Sequence, residues 1–137
     1  MATIHKTSTQ FMGKMEFDTE INGHHITLDT VPAGGGENHG PSPKPLILSS
    51  LAGCTGMDVV GVLNKMRATY SDFSIDVEAD LTDEHPRVYS EIRVTYTIKT
   101  EDREKMEKAV NLSKDSYCGV YAMLKKVCEV KFQIVYL

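Results

Sequence analysis

Three cysteines, Cys54, Cys118 and Cys128, are the side chains of this sequence with the most chemistry to offer. A cysteine becomes a nucleophile when it loses its proton, and a helix N-terminus favours the thiolate that results. We predict that Cys118 lies in the first helical turn after a cap at Asp115 or Ser116, where unpaired N–H groups and the helix dipole favour a negative sulfur. Cys118 is therefore a candidate reactive thiol.

Cys54 has a different setting, because it lies in a patch of small residues, Ala-Gly-Cys-Thr-Gly, within an apolar segment. Burial there would raise the pKa of the thiol, so Cys54 needs a partner or a polar pocket to react. Cys54 and Cys118 are distant in sequence, and only the tertiary fold can bring their sulfurs within disulfide reach.

Cys128 is predicted to be structural, because its strand position has the same parity as three apolar residues, Val130, Phe132 and Ile134. The sequence has neither a Cys-x-x-Cys pair nor two histidines at helical spacing, so we predict no metal ligands and no cofactor. His24, His25 and His39 are expected to be solvated.

The residues before position 30 alternate between apolar and polar types, which predicts strands. Asn22-Gly23 is typical of a two-residue type I′ turn and predicts a hairpin. Pairing across that turn sets one strand against the other: Ile21, Thr19 and Phe17 opposite His24, Ile26 and Leu28. An earlier strand is predicted around Ile4 to Phe11.

The segment from Val31 to Pro45 is rich in glycine and proline and is predicted to be a loop. It lacks the Gly-Lys-Ser/Thr of a phosphate-binding loop. The next segment, Leu46 to Met66, predicts a helix that is buried on every side, since apolar residues occupy all of its faces. Polar residues interrupt it, which argues against a membrane span.

The second half predicts two strands, at about 73–81 and 88–98, each with one wet face. Thr100 is a fitting cap for a helix that runs to about Ser113 and buries Met106, Ala109 and Val110. A shorter helix from about Ser116 turns three residues inward, Val120, Met123 and Leu124. A last strand, Cys128 to Tyr136, completes an α+β order, and we predict one domain over residues 1–137.

The amino-acid composition argues against some classes of function. Fifteen Lys and Arg against nineteen Asp and Glu give a net charge of -4, which offers no basic surface for nucleic acid or anionic lipid. The first residues do not have the layout of a signal peptide, so a cytoplasmic location is expected. In a reducing compartment free thiols are expected, not a disulfide framework.

Two motifs together resemble the OsmC/Ohr family. The first runs from Gly40-Pro41-Ser42-Pro43 through the apolar segment to Gly53-Cys54-Thr55, and the second is Cys118-Gly119-Val120 with Leu124 six residues after the cysteine. The order of elements also resembles that family over nearly the whole chain.

This resemblance implies an intertwined homodimer in which two long apolar helices pack at the centre. It implies that Cys54 is a peroxidatic cysteine that reduces organic hydroperoxides in oxidative stress defence. Cys118 would then resolve the sulfenic acid, and a small dithiol would reduce the disulfide.

The sequence departs from the family's well-characterised peroxidases at two places. No Arg precedes Arg67, and Lys44-Pro45 stands where those enzymes have a Glu after the loop proline. The chain is therefore more similar to the general OsmC-like branch than to a typical organic hydroperoxide reductase. The alternative function is a dimeric binding module without catalysis, which holds a small apolar ligand near Met57, Met66 and Met123.

Overall fold

The structure is a computed structural model that describes residues 2–137. The chain forms two compact units, the first extending to Ile47 and the second comprising Leu48–Leu137. A single domain over residues 1–137 stays a prediction.

The first unit contains a three-stranded antiparallel sheet in the order β1-β2-β3. Its strands are Thr7–Gly13 (β1), Glu16–Ile21 (β2) and His24–Leu28 (β3). The predicted hairpin register is confirmed, since the pairs run from Ile21 opposite His24 to Phe17 opposite Leu28. Asn22 and Gly23 have φ angles of 52° and 79°, as a type I′ turn requires.

The glycine-rich segment after β3 is a loop, as predicted, with one 3₁₀ turn at Pro32–Gly34. Asp29 holds this loop in place, because its buried carboxylate accepts hydrogen bonds from the backbone N–H groups of Thr30, Glu37 and His39. These bonds, that of His39 foremost, hold the pKa of Asp29 below its ordinary value. One carboxylate thus supplies the backbone partners that a loop without secondary structure needs.

The second unit contains a mixed three-stranded sheet in the order β4-β5-β6. Strands β4 (Tyr70–Leu81) and β5 (Tyr89–Thr100) are antiparallel, and β6 (Glu129–Tyr136) is parallel to β5. The helices are α1 (Leu46–Lys65), α2 (Arg103–Leu112) and α3 (Gly119–Leu124), and a π-helical turn, Ser113–Tyr117, follows α2. The fold class is α+β, as predicted.

Helix α1 buries one side only. Its buried residues repeat every four positions: Leu51, Thr55, Val59 and Leu63. They share one core with the buried side of β5, which consists of Ile92, Val94, Tyr96 and Ile98. On the other side of α1, the Met57 side chain is 79% exposed. The prediction of a helix buried on every side is therefore wrong for the single chain, because the chain supplies a partner for one side only.

Helix α1 is long and apolar enough to cross a membrane by length and composition, and no second helix in residues 2–137 has that character. A core helix passes the same test, and Leu51 and Val59 of α1 are fully buried in the core. Its apolar character is thus partly explained by packing within the second unit.

The helices after β5 differ from the prediction at their ends. Asp102, not Thr100, stands at the N-cap position of α2 without a side-chain capping bond, and the Thr100 hydroxyl accepts a hydrogen bond from the Asp102 N–H. The predicted buried stripe of α2 is confirmed: Met106, Ala109 and Val110. In α3, Val120 and Leu124 pack against the core, but Met123 is 65% exposed, so its predicted inward orientation is wrong.

Candidate functional site

The fold brings Cys54 and Cys118 together. One donor atom from each of Cys54, Asp58 and Cys118 lies within 4.8 Å of the others, and we call these three residues the thiol–carboxylate cluster. Cys54 and Asp58 are four residues apart on α1, so they lie one above the other on the same face. Both cysteines are free thiols, and their sulfurs lie within 4.8 Å of each other. The two sulfurs are thus already neighbours in the reduced state.

The π-helical turn sets the position of Cys118. Its wider winding carries the Cys118 N–H back to the carbonyl oxygen of Ser113, five residues earlier, at 2.8 Å. Cys118 then leaves the helical conformation, with φ -75° and ψ 100°, and becomes the cap of α3. Its sulfur accepts a hydrogen bond from the Tyr121 N–H at 3.4 Å. Cys118 is therefore the cap itself, not a residue of the first turn as predicted.

The predicted thiolate character of Cys118 is wrong. Burial raises the pKa of this thiol to about 11, since only 3% of the residue is exposed. The Tyr121 N–H acts in the opposite direction, but the hydrogen bond with Cys54 and the negative charge of Asp58 add to the rise. Burial outweighs the helix terminus, so Cys118 is protonated at neutral pH.

A chain of buried hydroxyls ends at the cluster. The oxygens of Tyr96 and Thr55 are 2.7 Å apart, those of Thr55 and Ser113 are 2.8 Å apart, and Ser113 donates to Asp58 Oδ2 at 3.0 Å. Each hydroxyl has one proton, so the bond from Ser113 to Asp58 fixes the direction of the others. Tyr96 donates to Thr55, Thr55 donates to Ser113, and the whole chain points at the Asp58 carboxylate.

Burial also raises the pKa of Tyr96 to about 12, and its hydrogen bond with Thr55 lowers the pKa by a smaller amount. The Tyr96 hydroxyl therefore remains a donor over the physiological pH range. Across residues 2–137, every buried side-chain nitrogen and oxygen has a hydrogen-bond partner, so the hydroxyl chain is complete.

Cys128 lies apart from the cluster, as its strand parity indicates. It packs against the core beside β6, and its sulfur donates a weak hydrogen bond to the carbonyl oxygen of Leu124 at 3.9 Å. Burial raises the pKa of this thiol as well. These contacts agree with the prediction that Cys128 is a structural residue.

The three methionine positions named for an apolar ligand do not form one cleft. Met57 and Met66 line an open groove beside α1 with Tyr117, but Asp58 and two lysines, Lys65 and Lys108, line the same groove. Met123 does not line it. In the single chain this groove is therefore mixed in character, and the apolar ligand site, which is predicted for a dimer, stays a prediction.

Asp58 is a member of the site that was not predicted from the sequence. One signal was available, because Asp58 is the only charged residue in the apolar segment before Lys65 and follows Cys54 by one helical turn. The hydroxyls of Thr55, Tyr96 and Ser113 had no such signal, since they come from three separate elements.

The fold and the site define a small α+β protein with a dithiol set between a long core helix and the cap of a short one. The family model described as "OsmC-like protein" matches residues 34–133, and the chain belongs to this family. Protein YhfA of Escherichia coli is 30% identical over 111 residues, which cover 80% of both chains.

Solved structures agree on the fold. A hypothetical protein from Aquifex aeolicus has a TM-score of 0.84 and 27% identity, with 99% of each chain covered. The organic hydroperoxide resistance protein OhrB of Bacillus subtilis has a TM-score of 0.64 and 18% identity, with 96% of this chain and 98% of that one covered. At that identity OhrB supports the α+β fold of this chain.

Proposed function

We propose that this protein reduces organic hydroperoxides with Cys54 as the attacking thiol and Cys118 as the resolving thiol. The observation that carries this proposal is the placement of two free thiols within 4.8 Å of each other. A disulfide between Cys54 and Cys118 would form by the approach of two sulfurs that already lie within 4.8 Å of each other.

Exposure and protonation support this assignment of roles. Cys54 is partly exposed, whereas Cys118 is buried and has its pKa raised to about 11. An attacking cysteine must meet the peroxide in solution, and a resolving cysteine needs only to meet the sulfenic acid beside it. Cys54 therefore suits the first step and Cys118 the second.

In the first step the Cys54 sulfur attacks the terminal oxygen of the hydroperoxide. The O–O bond breaks, the alcohol leaves, and Cys54 becomes a sulfenic acid. In the second step the Cys118 sulfur attacks Cys54, an S–S bond forms, and the sulfenic oxygen leaves as water. A small dithiol then reduces the disulfide by thiol–disulfide exchange and is itself oxidised to a disulfide.

The family supports a redox function in stress defence. Among proteins with this fold, OhrB of Bacillus subtilis is named an organic hydroperoxide resistance protein, and we extend that activity to this chain as a proposal. Dithiol chemistry of this kind needs a reducing environment, which fits a cytoplasmic location.

We also propose that the protein is a homodimer that covers the exposed side of α1. Met57 is 79% exposed there, and a Cβ added at Gly53 or Gly61 would lie in open space. An apolar groove continues this side of α1 onto Phe73 and Ile75 of β4. A second copy of the chain would bury this surface, and the two glycines would allow its backbone a close approach.

The dimer is tested by the solution mass of the wild type and of Met57→Lys. We expect a dimer for the wild type and a shift toward monomer for the variant, because a charge at this site would be buried against an apolar surface. A wild-type monomer at all concentrations would contradict the dimer proposal.

The peroxidase proposal is tested by hydroperoxide consumption with a dithiol as reductant, in the wild type and three serine variants. Cys54→Ser should lose turnover, and Cys118→Ser should stop after one turnover with a sulfenic acid that dimedone traps on Cys54. Cys128→Ser is the matched control and should turn over like the wild type. Full turnover by Cys54→Ser would contradict the proposal.

A further inference from the structure

The Asp58 carboxylate has no part in the peroxide chemistry above, although it lies beside both thiols. In the part of the chain that the structure describes, Ser113 is its one hydrogen-bond partner, and no lysine or arginine pairs with it. Its Oδ2 accepts the Ser113 proton, so its Oδ1 faces no donor among these residues. A carboxylate oxygen within 4.8 Å of two sulfurs forms with them a set of three possible metal ligands.

We propose that the reduced thiol–carboxylate cluster binds one Zn²⁺ ion per chain through the sulfurs of Cys54 and Cys118 and one oxygen of Asp58. The fourth ligand is a water molecule, since Cys54 and Asp58 are both partly exposed. Three protein ligands and one water are a coordination that zinc commonly has in proteins. This proposal goes beyond the peroxidase function and does not require it.

The distances between the three donor atoms suit a Zn²⁺ ion. A Zn–S bond of about 2.3 Å places two sulfurs of a tetrahedral site about 3.8 Å apart. The three donor atoms now lie within 4.8 Å of one another, so the two sulfurs need to close by no more than about 1 Å and each sulfur–oxygen pair by no more than about 1.3 Å. Cys54 and Asp58 come from one face of α1 at i and i+4, the spacing at which two histidines of one helix bind zinc.

The chemistry of the ligands selects a soft divalent ion. Thiolates favour zinc over magnesium and calcium, which prefer sites made entirely of oxygen ligands. The hydroxyl chain through Ser113 supplies the outer support, because a hydrogen bond to the ligating carboxylate orients it. Thr55 and Tyr96 extend that support into the core.

Binding of zinc and formation of the disulfide exclude each other. When zinc binds, two S–H bonds break, two Zn–S bonds form, and two protons pass to the solvent. In the disulfide the same sulfurs are joined to one another and have no thiolate to offer. Zinc would therefore hold Cys54 and Cys118 in the reduced state and slow their reaction with oxidants or alkylating reagents.

The donor atoms of a second group of possible ligands in the first unit, Glu16, Asp29 and His39, already make hydrogen bonds within the protein. Both oxygens of Asp29 already accept backbone N–H groups, and the His39 Nδ1 is 2.6 Å from Glu16 Oε1. These atoms have protein partners, and the group serves to hold the loop. In the thiol–carboxylate cluster both cysteines are free thiols, and among the described residues only one oxygen of Asp58 accepts a hydrogen bond.

The test titrates reduced, metal-free protein with Co²⁺, which reports thiolate ligands by charge-transfer absorption in the near ultraviolet. We expect one Co²⁺ per chain with this absorption, and its loss when Zn²⁺ displaces the cobalt. Competition with a chromophoric chelator then gives the dissociation constant of Zn²⁺. No peroxide is present, so the result is independent of any peroxidase activity.

Three variants locate the ion. Cys118→Ser should lose about half of the charge-transfer intensity, because one thiolate of two is removed. Asp58→Asn keeps the shape of the side chain and an acceptor for Ser113, and should raise the Zn²⁺ dissociation constant by at least about tenfold, the effect of losing even an outer-shell partner. Cys128→Ser, the matched control, should bind as the wild type does.

The absence of charge-transfer absorption in the wild type would overturn the proposal. Equal absorption in the wild type and Cys118→Ser would overturn it too, because the metal would then lie elsewhere. Circular dichroism checks the fold of each variant, and Cys54→Ala gives a second removal of a ligand if Asp58→Asn does not fold. A failed titration with normal peroxide turnover would reject the zinc site alone.

Discussion

The chain of hydroxyls from Tyr96 to Asp58 makes a sharp prediction for Ser113→Ala. Ser113 is 1% exposed, donates to Asp58 and accepts from Thr55. The substitution removes both bonds, so one carboxylate oxygen of Asp58 loses its donor and the buried Thr55 hydroxyl loses its acceptor. It tests whether the chain is continuous, because Ser113 is its only connection to Asp58 among the described residues.

The expected loss of stability follows from the two hydrogen bonds that Ser113 makes. A buried hydrogen bond between neutral groups contributes about 0.5–1.5 kcal/mol, and one to a charged group contributes about 1.5–3 kcal/mol. Ser113→Ala should therefore lower the free energy of unfolding by about 2–4 kcal/mol. Tyr96→Phe removes only the first, neutral donor and should cost about 1 kcal/mol.

The assay is urea unfolding at a fixed protein concentration, since a dimer's stability depends on concentration. Ser116→Ala is the matched control, because Ser116 lies in the same π-helical turn but is exposed, and its effect should stay within about 0.5 kcal/mol. The double variant of Tyr96 and Ser113 should show a coupling of at least about 0.5 kcal/mol. Equal effects of Ser113→Ala and Ser116→Ala, or additive effects of the pair, would refute the continuous chain.

Three further predictions follow from single contacts. His39 has its pKa raised chiefly by its hydrogen bond with Glu16, so the stability that it contributes should be present below about pH 6.5 and lost as the pH rises through the raised value. Unfolding curves of the wild type and His39→Gln should therefore converge at alkaline pH, and a constant difference would contradict this. Because the pKa of Cys118 is about 11, its alkylation rate, measured by peptide mapping, should rise with each pH unit up to at least about pH 10. A rate that levels off near pH 8 would contradict burial as the cause of the raised pKa. Gly40→Ala should lower the free energy of unfolding in urea by about 1–3 kcal/mol, because its Cβ would overlap a carbonyl oxygen of β3. Gly119→Ala should leave the free energy of unfolding unchanged, because its Cβ meets open space.

Local patterns explain which parts of the fold were predictable. Asn22-Gly23 fixes a turn within two residues, and the alternation on either side leaves one register in which the apolar residues share a face. The register was therefore right to the residue. Helix α1 was likewise evident from composition, but composition cannot say whether one chain or two bury its faces.

The properties of the site depend on contacts that the sequence does not display. A helix terminus near Cys118 predicts a thiolate, but the burial of that sulfur in the core reverses the sign of the pKa shift. Asp58 is visible as an isolated charge, whereas its partner Ser113 is far away in sequence and reaches it through a π-helical turn. Pairing of Cys54 with Cys118 was implied by family resemblance, and the fold places them together.

The central claim is that Cys54 and Cys118 act as a redox pair. Intact-protein mass spectrometry after one equivalent of an organic hydroperoxide tests it most directly, on metal-free wild type and on Cys54→Ser. The account predicts a loss of about two hydrogen masses in the wild type only, with a disulfide between Cys54 and Cys118 in the peptide map. An unchanged wild-type mass with all three thiols still free would contradict it.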